Sequence, residues 1–277
     1  MQAIQKIFNA KLYPYRVYTS RKQGKLFWTA VMSDIFSRNI LLWGEKVQKK
    51  LFQSSVLIAG VGGLGCVVAE ILVRSGIGKL ILLDNKTIDE PDLNRQLLYS
   101  VNDLGKEKVI VAAKKLRAMT GKTKIEPIKT SIADTKKFQK IMRSLMLDGA
   151  ADCLDNFKSR FVLEKLLPPK SFMVHGGAQR DFGQITSIVK GETAPLQHFF
   201  CEHASVENPI PICPSAVCVI ASIMAHEIIN NLIGAPQLKN EMLIIELSDF
   251  SMFRQKISTP EKYRRHSNAA KLSSIKR

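Results

Sequence analysis

Short runs of apolar residues alternate along the chain with stretches in which apolar positions recur at helical spacing. Residues 36–51 place Ile40, Leu41, Trp43 and Val47 near one helical face, which predicts a helix running up to the first buried run, Ser55 to Ala59. Beyond it the pattern predicts a helix over 66–74, a strand over 79–83, a helix over 106–119 closed by Gly121, and a strand over 125–129. A helix over 135–147, a strand over 151–154 and a further helix carrying Arg160 continue the series. Two strands then come in succession, 171–176 and 183–189, the second alternating Gln and Thr with Ile. Residues 191–215 have no period and read as a long crossing loop. An apolar helix over 216–233, stopped by Gly234 and Pro236, and a last strand over 242–247 complete the chain.

Strands that alternate with helices must run parallel, with helices crossing between them. The expected fold is therefore α/β: a doubly wound, mostly parallel, Rossmann-like sheet with a crossing-loop and C-terminal strand extension. The 277 residues, 45% of them apolar, suffice for one such core. Residues 34–257 are expected to form it, with residues 1–33 and 258–277 as basic extensions. The strongly apolar stretches, such as 217–225, fall short of the ~20 residues that cross a bilayer.

Charge sharpens this division. The formal charge is +17, but residues 1–50 hold ten Lys or Arg against two acids, and residues 251–277 hold eight against one. Solvated ends, or ends that dock an acidic protein, explain this. Neither end interleaves aromatics on a recognisable nucleic-acid fold, which argues against that partner. Residues 1–32 carry six basic and no acidic residues, a composition shared with organellar transit peptides, yet lack the apolar core of a secretory signal. Five cysteines without a CxxC pair suit neither a disulfide framework nor a four-thiolate zinc site, so a reducing cytoplasm is expected.

The chemistry concentrates after the first strand. Ser55 to Gly65 reads SVLIAGVGGLG, with glycines at Gly60, Gly62, Gly63 and Gly65, and Asp84 closes the next apolar run nineteen residues beyond Gly65. A strand, a glycine turn and a helix N-terminus let backbone N–H groups approach a phosphate, and an acidic residue at the second strand's tip accepts hydrogen bonds from a ribose. On glycine spacing alone an NAD(P)-dependent oxidoreductase is the first reading. The residues beyond Asp84 shift the balance: Asn94-Arg95-Gln96, Lys108 and Asp155-Asn156 put cations and a second carboxylate where strand ends converge. An aspartate near polyphosphate is a usual ligand for Mg²⁺, and Arg and Lys offset charge building on displaced phosphates. Hydride transfer needs none of these.

Phe36-Ser37-Arg38-Asn39-Ile40, the GVGGLG turn, Leu93-Asn94-Arg95-Gln96, Gly105 with Lys108, Asp155-Asn156 with Arg160, and Gly183-Gln184-Ile185-Thr186 occur in that order. In them the chain resembles the ThiF/MoeB/HesA family, relatives of the ubiquitin-activating enzymes, over about residues 34–257. The resemblance implies ATP-dependent adenylation of the C-terminal glycine carboxylate of a small ubiquitin-like sulfur carrier ending in Gly-Gly, with release of pyrophosphate. It implies that Asp84 holds the ribose, that Arg95 and Lys108 bind phosphates, and that Asp155 coordinates Mg²⁺. Gly60, Gly62, Gly63, Gly65, Asn94, Gln96 and Asn156 would line the nucleotide. Arg38 would reach the partner subunit's site, which implies a homodimer.

The chain also departs from the pattern. The place of the first zinc-binding CxxC pair reads Pro195-Leu196-Gln197-His198, and no cysteine occurs after Phe253, so structural zinc is expected to be absent. The family's thioester or persulfide cysteine falls near Glu207, with Cys201 and Cys213 six residues to either side as candidate reactive thiols. A family asparagine is Asp92 here, and a second acid after Asp84 is Lys86. A degenerate member acting as a binding partner, and relatives that cyclise a modified tRNA nucleoside, are the other readings. His175 reads as a satisfied strand-end residue and His226 as core or interface.

Overall fold

The computed structural model describes residues 35–200 and 211–257. The protein divides into two compact units, residues 1–49 and 50–277. The described part of the first is the opening of helix α1 (Ser37–Gln53), which breaks at Gly44, whose φ of 82° favours glycine. Within this unit Trp43 Nε1 donates to Gln48 Oε1 at 3.0 Å.

The second unit is built on an eight-stranded sheet. Its strands are β1 (Ser55–Ala59), β2 (Lys79–Asp84), β3 (Lys124–Lys129), β4 (Gly149–Asp152), β5 (Phe172–Gln179), β6 (Phe182–Val189), β7 (Glu241–Glu246) and β8 (Ser251–Lys256), in the order 3-2-1-4-5-6-7-8. The first five pair parallel and the rest antiparallel, as expected of the fold class. β1 and β2 are apolar almost throughout because helices cover both faces. On one face Leu57, Ala59, Ile81 and Leu83 pack with Phe138 and Met142 of α4 (Lys136–Ser144) and Phe161 and Leu163 of α5 (Phe157–Leu166). On the other lie α2 (Gly63–Arg74), α3 (Lys108–Thr120) and α6 (Pro214–Ile233). β1 sits where the strand order reverses, between β2 and β4, and such a switch point opens a crevice at the strands' carboxyl ends.

Several boundaries differ from expectation for identifiable reasons. α4 ends at Ser144 rather than 147, because Leu145 turns extended to enter the core and leaves Met146 exposed. β4 begins at Gly149, where any side chain would strike the Phe172 ring, and ends at Asp152, so Asp155 stands in the loop beyond the strand. The strand at 242–247 is not the last: β8 comes after it at the sheet edge. α6 has the length and composition to cross a membrane, contrary to the shorter apolar stretch read from sequence. It packs instead on α2, β4, β5 and β6, with ten of its residues buried, as a core helix does.

Candidate functional site

The site is built outward from the turn after β1. Gly60 has a φ of 87°, and a Cβ there would lie 2.7 Å from the Cys153 carbonyl oxygen, so only glycine lets the turn cross the loop after β4. At Gly65 a Cβ would collide with the Gly60 carbonyl. At Gly62 a Cβ would make only ordinary contact with the Gln96 side chain, at 3.6 Å, whereas at Gly63 it would come within 3.0 Å of Val217 on α6. α2 then starts at Gly63 without a side-chain cap, and its first-turn N–H groups have no acceptor within the helix. Such a terminus attracts anions.

Asp84, at the tip of β2, faces this turn. Its Oδ2 accepts from the Val61 N–H at 2.8 Å and its Oδ1 from the Lys86 N–H at 2.9 Å. Lys86 crosses to the other side of the crevice, where its Nζ donates to Asp155 Oδ2 at 2.7 Å. The second Asp155 oxygen accepts from Asn156 Nδ2 at 3.0 Å, while Asn156 Oδ1 caps α5 through the Ser159 N–H at 2.9 Å. Asn156, not Asp155, is thus the cap, and this leaves the aspartate to the crevice. Burial alone would lift the Asp155 carboxyl, but Lys86 and Asn156 outweigh it and hold it below the ordinary range. Asp155 in turn raises Lys86.

Asp92 gathers the remaining charges. Its Oδ2 lies 2.8 Å from Lys108 Nζ, its Oδ1 accepts from Gln96 Nε2 at 2.5 Å, and Arg95 Nη2 is 3.8 Å from Oδ1. Arg95 also donates to the Pro91 carbonyl at 2.8 Å and to Asn94 Oδ1 at 2.9 Å. Tyr99 Oη donates to the Val61 carbonyl at 2.7 Å and ties this segment to the glycine turn. The glycine turn, Asp84, Asn94, Arg95, Gln96, Lys108, Asp155 and Asn156 therefore form one connected group. Arg38 stands exposed on the first turn of α1, in the smaller unit.

One feature of the crevice was not legible in the sequence. Asp152, fully buried at the end of β4, accepts from His175 Nδ1 on β5 at 2.7 Å and pairs with Arg160 of α5 at 3.8 Å. Burial, then the Arg160 charge, push the His175 imidazole below its usual range despite Asp152. As neutral imidazole it donates from Nδ1 and accepts at Nε2, where Arg160 Nη1 lies at 3.5 Å. Arg160 also donates to the Leu154 and Gly176 carbonyls, which fixes the loop that carries Asp155. A charged residue closing the apolar run of β4 was the available signal.

Cys201 and Glu207 lie outside the described residues. Cys213 is the N-cap residue of α6, with its Sγ 3.0 Å from Ser215 Oγ. That hydroxyl and the helix's first N–H groups pull its thiol below the ordinary value. Burial pushes Cys66 up to about 12 and Cys153 well above its ordinary value. Among the described residues no three His, Cys, Asp or Glu side chains come together as a metal site.

Residues 36–267 match the ThiF family. The chain is 28% identical over 221 residues to a sulfur carrier protein adenylyltransferase of Thermus thermophilus, covering 75% of this chain and 80% of that one. It is 29% identical over 209 residues to a probable molybdopterin-synthase adenylyltransferase of Porphyra purpurea, covering 72% of this chain but only 54% of that longer protein. Among solved structures, Escherichia coli MccB crystallised with ATP superposes with a TM-score of 0.69 at 23% identity, covering 83% of this chain and 72% of that one, a likeness of fold.

Proposed function

The chain belongs to the ThiF family, and from that premise we propose that it is an adenylyltransferase that uses ATP to activate the C-terminal glycine carboxylate of a small ubiquitin-like carrier protein. The observation that carries this reading is the meeting of Arg95, Lys108 and Asp155 with the glycine turn and Asp84 in one crevice. Neither hydride transfer nor simple dinucleotide binding calls for that set.

In the proposed reaction an oxygen of the carrier's carboxylate bonds to the α-phosphorus. The bond from that phosphorus to the bridging oxygen breaks, and pyrophosphate leaves with its electron pair. The carboxylate is already ionised, so no general base is required and His175 is left to position Asp152 and Arg160. The amides of the glycine turn and α2 would cradle the phosphates, Asp84 would take the ribose, and Arg95 and Lys108 would meet charge that grows on the departing pyrophosphate. Asp155, if Lys86 released it, would be the carboxylate that holds a Mg²⁺ accompanying ATP. Bound there, the ion would neutralise phosphate charge.

The proposal includes a core over residues 34–257 flanked by basic extensions, a homodimer in which Arg38 reaches the partner subunit's nucleotide, a cytoplasmic setting, and Cys201 or Cys213 as the thiol of any later thioester or persulfide step. ATP–pyrophosphate exchange with the full chain and candidate carriers ending in Gly-Gly tests it. Exchange is expected to depend on carrier and to fall about a hundredfold in Arg95→Ala. Carrier-dependent exchange undiminished in that variant would refute the phosphate assignment.

A binding role without catalysis is favoured by one specific observation: Lys86 with Asp155 and Asp92 with Lys108 occupy the crevice charges with one another. Nucleotide binding without exchange on any carrier would select that reading.

A further inference from the structure

The two positions at which the crevice departs from the family pattern are the two that pair with its expected working residues: Lys86 with Asp155, and Asp92 with Lys108. The first pair bears on the metal. Both Asp155 oxygens are already engaged, one by the Lys86 ammonium at 2.7 Å and one by Asn156 at 3.0 Å. Lys86 is well anchored for this task. Its N–H donates to Asp84 and its carbonyl accepts from the Lys108 N–H at 3.2 Å, so its backbone is fixed between the ribose-side carboxylate and the start of α3. The side-chain pair is open to the crevice, with 60% and 59% of the two side chains exposed, so the ammonium is within reach of an incoming anion. An ammonium has three donors: one can stay on Asp155 while two turn to phosphate oxygens. A divalent ion on the same carboxylate would meet a like charge at close range.

Resting on the nucleotide site of the proposed function, we infer that Lys86 is a tethered counter-cation for Asp155, an alternative occupant of the position a divalent ion takes beside the nucleotide. Lys86 bridges Asp155 and the phosphates, and the site binds ATP with little need of free metal. The second departure acts in the same direction. A polyphosphate that displaces Asp92 frees Lys108 and Arg95, two further fixed cations, without recruiting an ion from solution.

The test is binding of a fluorescent ATP analogue to the full chain in EDTA and in excess MgCl₂, with Lys86→Asp and Lys86→Arg alongside. Wild type and Lys86→Arg are expected to keep their Kd within about threefold between the two conditions, whereas Lys86→Asp weakens at least about tenfold in EDTA and recovers in Mg²⁺. A half-exposed pair adds little to stability, so melting temperatures should differ by only a few degrees, and that separates this role from a structural one. Mn²⁺ titrated into nucleotide-free protein gives a second readout by electron paramagnetic resonance: Lys86→Asp should deplete the free-ion signal and wild type should not. Loss of wild-type binding in EDTA as large as that of Lys86→Asp, or equal Mn²⁺ capture by both, overturns the inference. ATP bound by wild type without metal, but no pyrophosphate exchange on any carrier, would sink the adenylation reading and leave this one standing. Failure of wild type to bind ATP in either condition would end both.

Discussion

Asp92→Asn should tighten nucleotide binding while weakening the ligand-free fold. The carboxylate lies 2.8 Å from Lys108 Nζ, and the pair is nearly closed to water, with 13% and 5% of the side chains exposed. At an effective dielectric near 20 their attraction is about 6 kcal/mol, and incoming phosphates must replace it. On the proposed reading they replace most of it, since Lys108 would then pair with phosphate. What remains is the repulsion between a displaced Asp92 and the phosphate that replaces it, about 3 kcal/mol per unit charge if the separation is on the order of 6 Å at the same dielectric. Asparagine removes this repulsion. Its one carbonyl oxygen can keep the Gln96 bond, and its amide then faces Lys108 and the Asp89 N–H, both donors, without holding either. Allowing for solvent relaxation, ATP should bind about tenfold to thirtyfold more tightly, or about 1.5–2 kcal/mol. Without nucleotide the variant leaves Lys108 buried and unpaired, at a cost of about 3 kcal/mol. Calorimetric titration with ATP and thermal melting with and without it give the two readouts, which should move in opposite directions. Weaker or unchanged ATP binding in Asp92→Asn would refute the reasoning and make Asp92 the residue that orients Lys108 for phosphate.

The geometry carries three further outcomes. Gly65→Ala should lose nucleotide binding and about 3 kcal/mol of stability by denaturant melts, because the new methyl meets the Gly60 carbonyl and the turn must open; a variant with wild-type melting would show that the turn has slack. Burial lifts Glu164 from an ordinary 4.5 to about 7, against the lowering pull of the Leu196 N–H, so the folded state holds its proton more tightly than the unfolded chain. The stability this adds is present below about pH 4.5 and is lost as pH rises through about 7, so Glu164→Gln should be up to about 3 kcal/mol more stable than wild type at pH 8 and equal to it near pH 4; the same difference at both pH values would rule the titration out. Alkylation and then peptide mass spectrometry should find Cys213 labelled well before Cys66 and Cys153, with an apparent pKa below the ordinary 9.0; labelling of Cys66 first would contradict the burial argument.

The strands of the parallel core were legible because both faces are covered, and a run such as Leu80 to Leu83 has to be apolar throughout. β8 was not, since an edge strand exposed from Met252 to Lys256 has no buried face to impose an alternation on its sequence. In the site, the glycine turn and Asp84 are local in sequence and carry their own signal. The partners of Lys86 and Asp92 do not. Each departure could be seen as a residue type, but that Lys86 would land on Asp155 depends on β4 pairing beside β1, which no local pattern encodes. Asp152, His175 and Arg160 came together for the same reason, from two neighbouring strands and a helix.

The placement of β1 at the reversal of strand order also bears on how the chain folds. The glycine turn, Asp84, Arg95 and Lys108 come from consecutive segments and can assemble around β1, β2 and α3 through short loop closures. Asp155 arrives only when β4 docks on the opposite edge of β1, and its contact with Lys86 closes a span of 69 residues. Contacts of such separation form late, because closing the loop costs entropy before the pairing repays it. A refolding chain should therefore gain its glycine turn before its Lys86–Asp155 contact, and a nucleotide present during refolding would act first on a half-built pocket and pull the later strand into place.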